Sequence, residues 1–172
     1  QEIADSSLLF SSNYGKYSKF NPETKKQGKQ IKLGINYYKN LSNKNNTYVA
    51  QAFYKQQLVG QAFYIIEDAG EGNMTWVIQL VVAKKYRRHS IGKKLLFSVW
   101  GFSNDKAWGL ATTNPLTIKT LESATLRRVD LKQIQKNIEL IKKIAQKVSF
   151  VKTEDITVSE NNSTVYTNFY VS

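Results

Sequence analysis

Apolar residues recur along the chain with a period that changes from region to region, and those changes mark out its elements. The first thirty residues, with SSNYGKYSKFNPETKKQGKQ, hold no sustained period and read mainly as loop, anchored by Tyr14 and Tyr17. IKLGINYYKNL places Ile31, Ile35, Tyr38 and Leu41 at spacings of four, three and three, one face of a short helix over 31–41 interrupted by Gly34. TYVAQAFYKQ and QLVGQAFYIIEDAG are β-rich runs carrying Val49, Phe53, Val59, Phe63 and Ile65, and the turn signal AGEGN then leads into MTWVIQLVVA. Three strands joined by short turns predict an antiparallel meander. The near-continuous apolar run VIQLVV suits a central strand covered on both faces.

The period then shifts to that of helices. SIGKKLLFSVWGFSND sets Ile91, Leu95, Leu96, Val99 and Trp100 on one stripe, predicting an amphipathic helix from near Ser90 that frays at Ser103–Asp105. AWGLATT is a short strand, and TNP opens another helix with Asn114 or Thr113 as cap and Pro115 in its first turn. Asp130 caps a long helix over 131–148 whose apolar positions are Leu131, Ile134, Ile138, Ile141, Ala145 and Val148. The end of the chain reads as a hairpin turning at Glu160-Asn161-Asn162-Ser163.

With 172 residues and 41% hydrophobic composition, the chain is expected to form one domain over 1–172. Because it begins at Gln1 and ends in a strand-like run, it reads as part of a longer chain. The absence of cysteine and the single histidine, His89, exclude a disulfide framework, a cysteine nucleophile and a zinc site, so no metal is expected. QEIADSSLLF lacks the form of a signal peptide and no apolar stretch is long enough to cross a bilayer, so the expectation is a cytoplasmic protein with no membrane partner. A formal charge of +12 requires a surface that attracts polyanions at low salt. Tyr37, Tyr38, Phe53, Tyr54, Phe63 and Tyr64 could form a base-stacking platform, but such residues at strand spacing are more often core or cross-strand pairs.

The chemistry concentrates in VVAKKYRRHSIGKKLL, where an apolar strand runs through a basic loop into a helix start. Such a junction exposes backbone N–H groups aligned with the helix dipole, an anion site that Ser90 and Gly92 are small enough to leave open. Lys93, Arg87 and Arg88 add charge. The same residues could instead be a solvated charge run or a grip on nucleic acid.

VIQLVVAKKYRRHSIGKKLL resembles the acyl-CoA-binding core of the GNAT N-acetyltransferase superfamily, in which a strand is followed by an R/Q-x-x-G-x-G/A loop and a helix. The loop here is Arg87-Arg88-His89-Ser90-Ile91-Gly92, with Ser90 where the family prefers glycine. The likeness extends over roughly 47–126 and includes Asn114 near the start of the next helix. It implies an α/β (α+β) fold with a mixed, mostly antiparallel central sheet splayed in a V, flanked by helices and closed by a C-terminal hairpin.

By the same resemblance, acetyl-CoA or another acyl-CoA lies in the V. Its pantetheine arm would pair with the strand at Leu80 and Val82, its pyrophosphate would sit on the amides from Arg88 through His89, Ser90, Ile91 and Gly92 to Lys93, and Asn114 would bond near its reactive end. The implied reaction is attack of a neutral amine on the thioester carbonyl, giving an N-acetyltransferase with an amine acceptor that is either small or an anionic macromolecule. Trp76 and Gln79 fall on the acceptor side, and a homodimer is compatible with the pattern. Leu121 stands where the family often has a proton-donating tyrosine and Trp76 where it often has a strand carboxylate, so no catalytic acid or base is assigned. A catalytically inactive acyl-CoA-binding module or a basic nucleic-acid-binding module is the alternative.

Overall fold

The computed structural model describes residues 2–70, 72–101, 103–112, 114–147, 156–159 and 165–166. The chain divides into two compact units, the first running to Thr125 and the second starting at Leu126. In the first unit, α1 (Glu2–Asn13) and α2 (Ile35–Ser42) precede the meander β1 (Thr47–Tyr54), β2 (Gln57–Asp68) and β3 (Asn73–Val82), followed by α3 (Ile91–Trp100), β4 (Ala107–Leu110) and α4 (Pro115–Thr125). The strands form one open sheet in the order β1-β2-β3-β4, antiparallel except for the parallel pair β3 and β4. This is the mixed, mostly antiparallel arrangement expected from the sequence. Among the described residues, no helix is long and apolar enough to cross a membrane, and no group of His, Cys, Asp or Glu could hold a metal ion.

The meander follows from turn chemistry and burial. Lys55 and Gln56 make a two-residue turn between β1 and β2, and Asp68 Oδ1 accepts from the Gly70 amide in the next turn. β3 lies inside the sheet and is buried on both faces from Met74 to Gln79, as its unbroken apolar run requires. On one face, Leu95, Leu96, Val99 and Trp100 of α3 cluster with Ala62, Val77 and Ala124. α3 comes so close to β2 that a Cβ on Gly60 would lie 2.9 Å from Ile91 Cγ2. On the other face, Tyr38 of α2 packs against Phe63, with ring centroids 5.2 Å apart.

The largest correction lies at the N-terminus, which forms α1 where the polar composition predicted loop. The stripe it buries is Ser6, Leu9 and Phe10, and a serine in that stripe hides the helical period. Ser6 is tolerated there because its carbonyl accepts from Gln61 Nε2 at 3.2 Å and its hydroxyl from Gln51 Nε2. Helix α2 starts at Ile35, not Ile31, with Gly34 as its N-cap. Ile31, Tyr38 and Leu41 are buried while Ile35 is exposed, so the predicted face is shared between the approach to the helix and the helix itself.

In the second unit the predicted long helix is two short ones, α5 (Leu131–Lys136) and α6 (Ile138–Ala145). Asp130 caps α5 as expected, accepting from the Lys132 amide at 2.8 Å. Asn137 interrupts the run at φ −108°, and its side chain donates to the Gln133 carbonyl at 2.8 Å, the local competition with helical backbone that asparagine offers. Val148 lies outside the described residues. β5 (Thr157–Val158) and β6 (Val165–Tyr166) pair antiparallel, in keeping with the expected terminal hairpin, whose turn residues 160–163 lie outside the described residues.

Candidate acyl-CoA site

β3 and β4 pair over four positions only, from Met74↔Ala107 to Val77↔Leu110. At that point β3 carries a bulge. β2 sets Phe63 opposite Gln79 but Tyr64 opposite Val77, so Ile78 is the extra residue. Beyond it, Gln79, Leu80, Val81 and Val82 still pair with β2, but none has a β4 partner among the described residues. Among the described residues, one backbone edge of β3 is therefore open beside Leu80 and Val82. Trp76 sits just before the bulge, buried, with its ring laid on β4 where a Cβ on Gly109 would come within 2.3 Å of it.

β3 hands over to α3 through a tightly tied loop. The Ala83 amide donates to the Val59 carbonyl at 2.8 Å, and the Lys84 amide to Asn13 Oδ1 at 2.9 Å. The Arg87 guanidinium donates through Nε to the Val82 carbonyl at 3.2 Å and through Nη2 to the Asn13 carbonyl. Arg87 thus straps the loop to the end of α1, while Arg88 and Lys93 are exposed. His89 donates its Nδ1 proton to the Arg87 carbonyl at 2.8 Å, since a carbonyl can only accept.

Arg88 and Ser90 both take left-handed backbone, at φ 65° and 60°, a conformation costing an L-residue about 1–2 kcal/mol. Ser90 is the N-cap of α3, yet its side chain makes no cap bond. The first helical bond runs from the Lys94 amide to the Ser90 carbonyl. The amides of Ile91, Gly92 and Lys93 accordingly have no partner among the described residues and point from the positive end of the helix. Gly92 is not dictated by helix packing, because a Cβ there would lie 3.6 Å from Thr120 Cγ2 and 3.9 Å from Val82 Cγ2, ordinary contact distances.

Asn114 starts α4 as read from the sequence, its Oδ1 accepting from the Leu116 amide at 2.9 Å. The cap uses the oxygen and leaves the Nδ2 donor. Thr113, the other candidate cap, lies outside the described residues. Leu121 is partly buried against the α3 cluster and serves packing.

Across the sheet, Gln79 is buried and its Oε1 accepts from the Tyr38 hydroxyl at 2.9 Å. Burial first, then the neighbouring Tyr37, pushes the Tyr38 hydroxyl well above the ordinary tyrosine range, so it stays a neutral donor. Gln79 Nε2 and Gln61 Oε1 have no partner among the described residues, each costing about 1–3 kcal/mol. The sequence reading assigned Gln79 to the acceptor side but weighed Tyr38 only as core or as a stacking ring, not as a partner of Gln79. The overlooked signal was a pair of glutamines, Gln61 and Gln79, in the middle of apolar strand runs.

The sequence over residues 12–108 matches the profile of the Acetyltransferase (GNAT) family. The chain belongs to this family. A ribosomal-protein-alanine N-acetyltransferase from Brucella melitensis biovar Abortus 2308 shares the fold at a TM-score of 0.54 and 15% identity, with 75% of this chain and 87% of that one covered. An aminoglycoside acetyltransferase from an uncultured soil metagenomic sample aligns at a TM-score of 0.47 and 20% identity over 61% and 73% of the two chains. A GNAT family acetyltransferase from Staphylococcus aureus aligns at 0.49 and 15% over 66% and 82%. No curated protein sequence matches the chain. Membership of the GNAT family supports acyl transfer with an acyl-CoA donor, and the open edge of β3 and the three partnerless amides of α3 are the features that fit such a donor.

Proposed function

We propose that this GNAT protein is an N-acetyltransferase that moves the acetyl group of acetyl-CoA to a primary amine. The observation that carries the reading is the set of amides at Ile91, Gly92 and Lys93, partnerless among the described residues, at the end of the loop that follows the open strand edge at Leu80 and Val82. These amides, with those of Arg88, His89 and Ser90, would hold the pyrophosphate, and Arg88 and Lys93 would neutralise it. The backbone of Leu80 and Val82 would pair with the pantetheine arm as an added strand. Asn114 would contribute its Nδ2 donor near the reactive end. Acetyl-CoA supplies the acyl thioester.

Two demands then remain, polarising the thioester carbonyl and freeing the amine of its proton. A strand amide past the bulge polarises the thioester carbonyl, the oxyanion-type contribution that backbone N–H groups make well. An acceptor amine with a pKa of about 10.4 has to lose a proton first. Leu121 and Trp76 carry no transferable proton, and the Tyr38 hydroxyl is committed to Gln79. Deprotonation of the amine therefore falls to water, and as the C–N bond forms and the C–S bond breaks the departing CoA thiolate takes its proton from water as well, with Gln79 and Trp76 orienting the acceptor.

A thermal titration with acetyl-CoA against desulfo-CoA tests the site. Saturation to a hundredfold over Kd adds about 2.7 kcal/mol, a rise in Tm of roughly 5–10 °C at this size. No saturable rise would overturn the reading. A second reading, acyl-CoA binding without turnover, is favoured by Leu121 and Trp76 at the proton-transfer positions. Thiol release with a panel of amines separates the two, because binding without release leaves only the second.

A further inference from the structure

The acidic residues along the sheet of the first unit gather at one end, where Lys44 and Lys106 accompany them. No Asp or Glu occurs between residues 24 and 66 or between 72 and 104, segments that hold β1, almost all of β2, β3, the loop after it and α3. Glu67 and Asp68 close β2 at the end of the sheet where β3 begins. Asp105 is at that same end, accepting from the Thr75 hydroxyl, and the next residue's amide donates to the Asn73 carbonyl. The opposite end holds the β1–β2 tip with Lys55 and the β3–α3 loop with Lys84 and Lys85, adjoining through the Ala83–Val59 bond.

This basic end also carries aromatic rings. Tyr54 is 51% exposed, and its ring centroid lies 5.6 Å from that of Tyr86. Lys55 Nζ stands 5.5 Å from the centre of the Tyr54 ring and Lys85 Nζ 4.8 Å from that of Tyr86. None of Lys55, Lys84 and Lys85 pairs with a carboxylate among the described residues. The tip is held in a form that disfavours its own residues, with Lys55 at φ 46° and Gln56 at φ 64°. That conformation normally selects glycine or asparagine, and such outliers concentrate at functional sites.

The open edge of β3 faces β4, whereas the tip lies beyond β2 on the other side of β3. Tyr54 and Lys55 are therefore not needed to explain a donor held at α3. Two adjacent rings with cations over them, none paired with a carboxylate among the described residues, match a chain that alternates flat bases with phosphates. The patch is a strand tip and a short turn with no helix to lay in a groove, which favours unpaired bases over a duplex. We propose that the β1–β2 tip and the β3–α3 loop form a docking surface for single-stranded nucleic acid, its bases stacking on Tyr54 and Tyr86 and its phosphates meeting Lys55, Lys84 and Lys85. The inference does not depend on the acetyltransferase reading.

Fluorescence anisotropy of the whole chain tests it with dye-labelled single-stranded uridylate and thymidylate dodecamers, a duplex of the same length, and vesicles of phosphatidylserine in phosphatidylcholine. The expected result is saturable binding of the single strands in preference to duplex and vesicles. Tyr54→Ala should weaken that binding roughly five- to hundredfold, and each of Lys55→Gln and Lys85→Gln should reduce the log–log salt slope by about 0.7. A thermal shift with acetyl-CoA that survives in Tyr54→Ala shows an intact fold. If no variant shows that shift but the single-strand preference holds, the donor reading fails and the docking surface stands. Duplex bound as tightly as single strand, unchanged affinity in Tyr54→Ala, vesicles bound in place of nucleic acid, or no binding at all would each overturn the proposal.

Discussion

Helices α3 and α4 both follow a strand of the same sheet, yet they begin in opposite ways. At α4, Asn114 spends its side-chain oxygen on the Leu116 amide, and Pro115 occupies a position where no amide is needed. At α3, Ser90 sits in left-handed backbone, offers no side-chain bond and leaves the amides of Ile91, Gly92 and Lys93 without partners. One start is built for its own stability. The other gives up about 1 kcal/mol or more in cap and backbone and keeps its N–H groups for something from outside. A helix start that is strained and uncapped beside an open strand edge is thus better evidence of a ligand than the basic residues around it.

Four measurements bear on this contrast. The largest expected effect is that of Gly92→Glu, which should weaken acetyl-CoA binding at least a hundredfold in a thermal titration while the free protein melts within a few degrees of the parent. A Cβ at that position meets only ordinary contacts, so an unchanged Kd would erase the distinction between the two helix starts. Next, saturating acetyl-CoA should slow hydrogen exchange at Ile91, Gly92 and Lys93 by up to about a hundredfold. The Leu116 amide, already bonded, should change little by comparison. Asn114→Ala should cost about 1 kcal/mol, seen as a fall in Tm of roughly 2–4 °C that Asn114→Asp restores. The smallest effect is that of Ser90→Gly, which should raise Tm by about 1–2 °C because relief of the left-handed serine is partly offset by the greater freedom glycine has to lose on folding, and a fall would show that the hydroxyl has a role the geometry does not reveal.

The stretch from β1 to α4 was legible because its signals are local. Strand alternation, the apolar stripe of α3 and the Asn114-Pro115 start each lie within a few residues. What escaped the sequence reading depends on contacts made at a distance. α1 buries Ser6 against Gln61, a pairing that no period along 2–13 could announce. Asn137 splits a helix that its apolar spacing alone would continue. The bulge at Ile78, which releases β3 from β4, falls in a run apolar on both faces, where an extra residue leaves no mark. At the candidate site the residue types were readable, but their employment was not. Arg87 turns to the carbonyls of Val82 and Asn13, and Gln79 is held by Tyr38 from another layer of the fold.

The way β4 is attached also sets an order of events in time. β1 meets β2 across Lys55 and Gln56, and β2 meets β3 across a turn of a few residues, whereas β4 reaches β3 only after the whole excursion through α3. Closing the longer loop costs more entropy and rewards it later. The meander should therefore assemble first and β4 last. With only four paired positions to give up, β4 should also be the first strand to let go under native conditions, with amides from Ala107 to Leu110 exchanging ahead of those in β2 and β3. The strand next to the open edge of β3 would then be the most readily renewed part of the sheet, able to part and re-form while the rest stays in place.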